Sequence, residues 1–162
     1  MTTGFQRQVN AQQAPAVAGD FASANPRASV PAPEAGFVAG ASGLVVAAFA
    51  WIDADGRRLN NTAASGKPNG FVHREQQAFI TTYLGETSNV IPTGFPATLM
   101  RKGDYFVNTT VAAASVGQKA FAKLADGTMQ PGNAGATISG FVETDFYITQ
   151  AAAVGELAVI SL

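Results

Sequence analysis

The chain has no cysteine, a single histidine (His73) and few charged residues, which make up 13% of its 162 positions. The absence of cysteine excludes disulfide bonds, thiolate nucleophiles and zinc sites built on thiolates. No apolar run reaches the roughly 18 residues that a membrane-spanning helix needs, and the longest, 44–52, has only the length of a strand. The sequence therefore favours a structural or binding protein without metal or cofactor over an enzyme.

The charges that are present sum to a formal net charge of −1, which excludes the strong basic field of a non-specific nucleic-acid binder. The N-terminus has no basic stretch followed by an apolar one, so we expect no secretory signal, no membrane partner and synthesis in a cytoplasm. Lys123 is the last basic residue, and the charged residues that follow it are all acidic: Asp126, Glu143, Asp145 and Glu156. We interpret these acids as a solvated face, with an electrostatic partner surface as the alternative.

Residues 1–35 differ in composition from the rest of the chain. They hold four of the eight prolines and four glutamines, and large apolar residues are sparse among them. Such a segment cannot bury enough apolar surface alone to offset the entropy lost on ordering. We predict an extended N-terminal arm over 1–35 that orders on a partner, with Phe21 as an anchor. A flexible terminus that does not order on a partner is the alternative.

From residue 36 onward, short apolar runs alternate with turn signals, which is typical of antiparallel β structure. Asp53-Ala54-Asp55-Gly56 and Asp126-Gly127 both predict hairpin turns. The segment 78–84 fits a helix or a strand by spacing, and its residue types favour a strand. Ten or so such runs predict an all-β domain over 36–162, an antiparallel jelly-roll-like sandwich or barrel.

Four aromatic residues lie within these apolar runs, and we expect their side chains to be buried: Phe49, Trp51, Phe106 and Phe121. For Trp51 an interface anchor is the alternative, because tryptophan is enriched at the centres of protein interfaces.

His73-Arg74-Glu75 is the only local cluster with catalytic residue types. A metal site would need further converging ligands, and there is no second histidine. A Ser-His-Asp triad needs no proximity in sequence, but no Gly-x-Ser-x-Gly turn supports one. Asp53 and Asp55 lack the other oxygen ligands of a calcium loop, so turn chemistry is favoured there. We expect His73 to have a structural role.

Several segments, taken in order, resemble the small capsid cement (decoration) proteins of tailed bacteriophages. The resemblance covers most of the chain and is carried by these pieces: Pro15-Ala16-Val17-Ala18-Gly19-Asp20-Phe21, Asn25-Pro26-Arg27, Phe37-Val38-Ala39-Gly40, Phe49-Ala50-Trp51, Gly70-Phe71-Val72-His73-Arg74, Ile91-Pro92-Thr93-Gly94 and Gly103-Asp104-Tyr105.

The resemblance implies a non-enzymatic virion protein with a jelly-roll-like or barrel-like β domain. Such a protein would sit on the outer surface of an icosahedral phage capsid and cement neighbouring major capsid protein subunits against internal DNA pressure. It would do so as a homodimer or homotrimer. Our own inference from the arm is that its motif residues bind the capsid: Gly19, Asp20, Phe21, Asn25, Pro26 and Arg27.

The sequence is also compatible with two other functions. One is a different structural component of a phage head or tail. The other is a carbohydrate-binding β-sandwich, for which more aromatic residues would be expected than one tryptophan and three tyrosines.

Overall fold

The computed structural model describes residues 16–75 and 89–162. Within these ranges the chain forms strands and no helix, which confirms the predicted all-β class. The strands are β1 (Ala28–Ser29), β2 (Val38–Ala39), β3 (Leu44–Val45), β4 (Phe49–Ile52), β5 (Arg58–Asn60), β6 (Gly70–Phe71), β7 (Val90–Ile91), β8 (Met100–Lys102), β9 (Asp104–Asn108), β10 (Lys119–Lys123), β11 (Met129–Gly132), β12 (Phe141–Gln150) and β13 (Leu157–Ser161). The strand predicted over 78–84 lies outside the described residues.

The strands assemble into two larger sheets and one small one. The six-stranded sheet has the order β1-β8-β6-β4-β5-β2, and the five-stranded sheet has the order β11-β10-β12-β13-β9. Strands β3 and β7 pair separately. The neighbours are antiparallel except β2 and β5, which run parallel. The predicted antiparallel sandwich is confirmed.

The main core lies between the six-stranded and five-stranded sheets. Phe49, Trp51 and Phe71 contribute to it from one sheet, and Tyr105 and Phe146 from the other. The Phe49 ring meets the Phe71 and Phe146 rings edge-on, with centroids 5.4 and 5.8 Å apart. This geometry places the positive edge of one ring against the negative face of the next, which adds to the energy of burial.

A second core covers the opposite face of the six-stranded sheet. Ala50, Leu59 and Val72 point to that side and pack against residues that include Leu44 and Ile91 of the small sheet. The central strand β4 is therefore covered on both faces, which agrees with the uninterrupted apolar run Phe49–Ile52. Strand β12 has one solvent face, and its central residues alternate between buried and exposed.

Three of the four predicted core aromatics, Phe49, Trp51 and Phe121, are buried, but the prediction for Phe106 is wrong. The register of β9 with β13 places Tyr105 opposite Ile160, and Tyr105 is fully buried. Because side chains alternate along a strand, Phe106 points away from the core and is only partly covered.

Both predicted hairpin turns are present. Strands β4 and β5 are antiparallel, and the Gly56 amide donates to the Asp53 carbonyl across 2.9 Å. The Asp55 carboxylate accepts hydrogen bonds from the Arg58 and Arg57 amides, which lowers its pKa. The turn uses this carboxylate internally, in agreement with the interpretation of turn chemistry over calcium binding.

The second hairpin, between β10 and β11, supports the other sheet through a close backbone contact. The Phe49 amide donates to the Gly127 carbonyl across 2.8 Å. A Cβ atom on Gly127 would lie 2.2 Å from the Phe49 carbonyl oxygen, and the residue has a φ of 71°. Glycine is therefore required for both backbone conformation and space.

We expect Gly127→Ala to lower the free energy of unfolding by about 2–5 kcal/mol, since left-handed strain and overpacking add. Gly56→Ala is the matched control, because Gly56 has a φ of 72° and open space around its Cβ direction. The control should cost only about 1–2 kcal/mol from the backbone strain. Chemical denaturation measures both values, and equal losses would contradict the steric role of Gly127.

Trp51→Ala should cost about 3–5 kcal/mol, the usual range for truncating a buried aromatic. Trp51 is 7% exposed, and its Nε1 atom donates a hydrogen bond to the Gly66 carbonyl across 2.9 Å. Denaturant titration of both proteins measures the difference. A loss below about 1 kcal/mol would place Trp51 outside the energetic core.

Candidate functional site

The predicted arm over 1–35 is described from residue 16 onward. Its residues 16–31 run along one side of the sandwich; we call them the edge segment. The Gly19 amide donates to the Phe106 carbonyl across 2.8 Å, and the Phe106 amide donates to the Asp20 carbonyl across 3.0 Å. Further along, β1 pairs with β8. The edge segment thus extends the five-stranded sheet at β9 and the six-stranded sheet at β8.

The path of the edge segment follows from the chain order of β8 and β9. These strands are consecutive, belong to different sheets, and are separated only by Gly103. We call the point at Gly103, where the chain passes from one sheet to the other, the corner. The edge segment passes the corner antiparallel to β8 and β9 and covers the edge of both strands. Unpaired strand edges bind other chains readily, so their coverage removes a site of aggregation.

The Asp104 carboxylate holds the edge segment to the end of β13. It accepts hydrogen bonds from Ser23 Oγ at 2.5 Å, Asn25 Nδ2 at 2.6 Å and Ser161 Oγ at 2.5 Å. Partial burial raises the pKa of Asp104, but the hydrogen bonds from Ser161, Ser23 and Asn25 together outweigh it, and the pKa is lowered. The ionised carboxylate is therefore the form that the folded protein stabilises.

Phe21 packs inward on the same corner. Its ring centroid lies 4.7 Å from that of His73 and 5.5 Å from that of Tyr105. The guanidinium carbon of Arg27 lies over the same ring, 3.9 Å from its centroid. Phe21 is thus enclosed between the β domain and a residue of its own segment.

The rings of His73 and Tyr105 both pack against Phe21. Burial lowers the pKa of His73, despite the opposing charge of Glu75, so the imidazole is neutral at pH 7. Burial raises the pKa of Tyr105 to about 12, and its hydroxyl donates to the Lys102 carbonyl across 2.9 Å. No group of three or more potential metal ligands occurs within the described ranges.

The structure divides the predicted capsid-binding residues into two groups. Gly19, Asp20 and Phe21 face the β domain, and Asn25 Nδ2 bonds to Asp104. The stretch 24–29, which includes Pro26 and Arg27, is exposed. Contact of these residues with a capsid stays a prediction. Of the six, Asn25, Pro26 and Arg27 lie in the exposed stretch 24–29.

Sequence reasoning missed the residues that fix this corner. Gly103-Asp104-Tyr105 was among the segments carrying the resemblance, but nothing in the sequence shows that Asp104 is bonded to Ser23. Arg101 and Lys102 form one of the two adjacent basic pairs in the chain. This pair is the feature of the sequence that could have indicated a positively charged surface.

Comparison with protein families matches residues 5–162 to the family described as XM1 gp53 minor capsid protein. The chain belongs to this family. It is therefore a phage capsid-associated protein of the virion, and the resemblance to phage capsid proteins is confirmed at this level. Comparison with curated protein sequences gives no match.

A solved structure, the capsid of Myoviridae phage XM1, contains a chain with a similar fold. The two chains share 21% sequence identity and superpose with a TM-score of 0.67, covering 97% of this minor capsid protein and 96% of the phage XM1 chain. At this identity the similarity concerns the fold.

In the residues that the structure describes, no helix has the length and apolar character needed to span a bilayer.

Acid should loosen the edge segment through Asp104. Because its pKa is lowered from 3.8, its stabilising contribution is complete above that pH and is lost as the pH falls further. We expect Asp104→Asn to reduce the free energy of unfolding near neutral pH, with the difference from the wild type shrinking below pH 3.8. Urea titrations across this pH range measure it.

The matched control is Asp145→Asn, which removes the exposed ion pair with Lys67. The Ala22 amide donates to the backbone carbonyl of Asp104 across 2.9 Å and reports on the edge segment. The control variant should leave hydrogen exchange of this amide unchanged, whereas Asp104→Asn should accelerate it. A stability difference for Asp104→Asn that stays constant at every pH would contradict the role assigned to the carboxylate.

Proposed function

We propose that this minor capsid protein is a cement protein, which binds the exterior of an icosahedral phage shell and bridges neighbouring major capsid protein subunits. Its role is mechanical, because packaged DNA presses outward and a bridging protein raises the energy needed to separate subunits. Family membership supports the capsid location. The edge segment supports the bridging role.

The observation that carries the proposal is the exposed stretch 24–29, which is held at both ends. On one side Phe21 and Asp104 fix it to the β domain, and on the other side the pairing of β1 with β8 does so. An ordered contact surface loses little conformational entropy on binding. A modest interface is sufficient when many copies bind the same shell.

We further propose that the protein acts without catalysis or a cofactor. The one histidine is buried under Phe21, and its Nδ1 atom has no hydrogen-bond partner within 16–75 and 89–162. Asp53 and Asp55 belong to a turn. His73, Asp53 and Asp55 are thus engaged in folding.

The remaining parts of the proposal concern assembly. The protein forms a homodimer or homotrimer on the shell, is made in the host cytoplasm, and has no nucleic-acid or membrane partner. A small symmetric oligomer would place several edge segments on adjacent capsid subunits, and the linked contacts would strengthen each other.

The test uses empty shells assembled from the major capsid protein of the same phage. We expect the purified protein to co-sediment with the shells at a fixed copy number and to raise the temperature at which they rupture. Cryo-electron microscopy of the decorated shells should show density on the outside, at contacts between capsomers.

Three outcomes would contradict the proposal. Absence from the shell after incubation would remove the binding role. Binding without a change in rupture temperature would remove the cementing role. Density at a portal or tail, in place of the capsomer contacts, would favour the alternative of another head or tail component.

A further inference from the structure

Three cationic residues lie close together along the backbone where β1 pairs with β8. Ala28 lies opposite Lys102 in this pairing, Arg27 precedes Ala28, and Arg101 precedes Lys102. A Cβ atom on Gly103 would lie 3.2 Å from the Arg27 Cβ atom, so Arg27 borders the same turn. All three side chains are exposed. We call Arg27, Arg101 and Lys102 the basic corner.

The basic corner has no carboxylate partner among residues 16–75 and 89–162. The arginine and lysine ion pairs in these ranges involve other residues: Arg58 with Asp55, Lys67 with Asp145, Arg74 with Asp20, and Lys123 with Asp126. Asp104 lies nearby in sequence but already accepts three hydrogen bonds. The like charges of the corner therefore favour the approach of anionic groups to this surface.

Arg27 is preorganised to bind such a group. Its guanidinium group lies over the Phe21 ring, with 3.9 Å between the guanidinium carbon and the ring centroid. Stacking uses the face of the guanidinium and leaves its N–H edge available. That edge matches the two oxygens of a carboxylate.

A groove beside the corner can receive a chain segment. It has a volume of about 520 Å³ and is lined by Ala28, Ser29, Pro31, Arg101, Lys102 and Leu162. A cleft of about 290 Å³ adjoins it and shares Arg101 and Leu162. The groove has small or apolar walls and two cationic side chains, and no aspartate or glutamate lines it. Asp145 lines the adjoining cleft and is paired there with Lys67.

Strand addition is a poor way to bind at this edge. Strand β1 has only two residues, and Pro31 and Pro33 follow it without amide hydrogens. Backbone pairing therefore contributes little affinity here. Recognition depends on side-chain charge.

We infer that the basic corner binds a carboxylate-rich segment of the major capsid protein in the shell. The inference rests on the proposed function and names the chemistry of its partner. A protein segment is favoured over nucleic acid because three cations on a chain of net charge −1 form no extended track for a phosphate backbone. Such binding weakens as salt screens the charges.

The first test is zero-length crosslinking on decorated shells. A carbodiimide couples an amine directly to a carboxylate that contacts it, so we expect an amide bond between Lys102 Nζ and a glutamate or aspartate of the major capsid protein. Mass spectrometry of the digested shells identifies the linked peptides. Lys102→Arg is the control, because it keeps the charge and the binding but loses this crosslink.

The second test reverses the charge. The double variant Arg101→Glu, Lys102→Glu should lose tenfold or more in affinity for the same shells, because it places like charges opposite each other. Its binding should also depend less on salt than that of the wild type. Arg57→Glu makes a charge reversal on the exposed β4–β5 hairpin and should bind like the wild type.

The outcomes separate this inference from the proposed function. If the wild-type protein does not bind shells, the proposed function fails. If the wild type binds, and the double variant binds equally well with the same salt dependence, the function stands and the basic corner is not the contact. Retention of labelled DNA by the wild type but not by the double variant would also overturn the inference, in favour of a nucleic-acid ligand.

Discussion

The corner at Gly103 is the constraint on which this side of the molecule depends. Here the chain leaves the six-stranded sheet and enters the five-stranded sheet within one residue, at a φ of 137°. The Gly103 amide and carbonyl both bond to Leu162, across 3.2 and 3.3 Å. A side chain on Gly103 would collide with the Tyr105 hydroxyl, at 2.7 Å. Glycine therefore lets β13, β9 and the edge segment meet at one point.

The same corner also holds the N-terminal segment against the sandwich. Its composition predicted a chain that orders only on a partner, yet from residue 16 onward the described part is bonded to the sandwich. The enthalpy comes from neighbours distant in sequence, chiefly the β9 backbone and the Asp104 carboxylate. Under the proposed function, a contact surface fixed in this way before binding would lose less entropy on the shell than a flexible arm.

Charge at the corner gives this surface its chemical character. The net charge of −1 conceals an uneven distribution, because several acids are used in turns or paired with lysine. Asp104 is held by hydroxyl and amide donors and forms no ion pair with Arg27, Arg101 or Lys102. An otherwise weakly charged protein can then favour an acidic partner through few residues.

The sequence determined the all-β class, the two hairpin turns and three of the four predicted core aromatics. These features depend on local patterns: glycine and aspartate in turns, and apolar runs of strand length. It also carried the resemblance to phage capsid proteins through short segments in order. Register was not visible, since one step along β9 decides between Tyr105 and Phe106 as the core residue.

Only the tertiary structure decided where the edge segment runs and what Asp104 does. Ser23 and Asp104 are 81 residues apart, and no local pattern records which strand edge lies free for a distant segment. The same reason applies to the basic corner, where Arg27 joins Arg101 and Lys102 through strand pairing. Local preferences follow from neighbours along the chain, whereas these contacts follow from which edges and charges remain unsatisfied once the two sheets have packed.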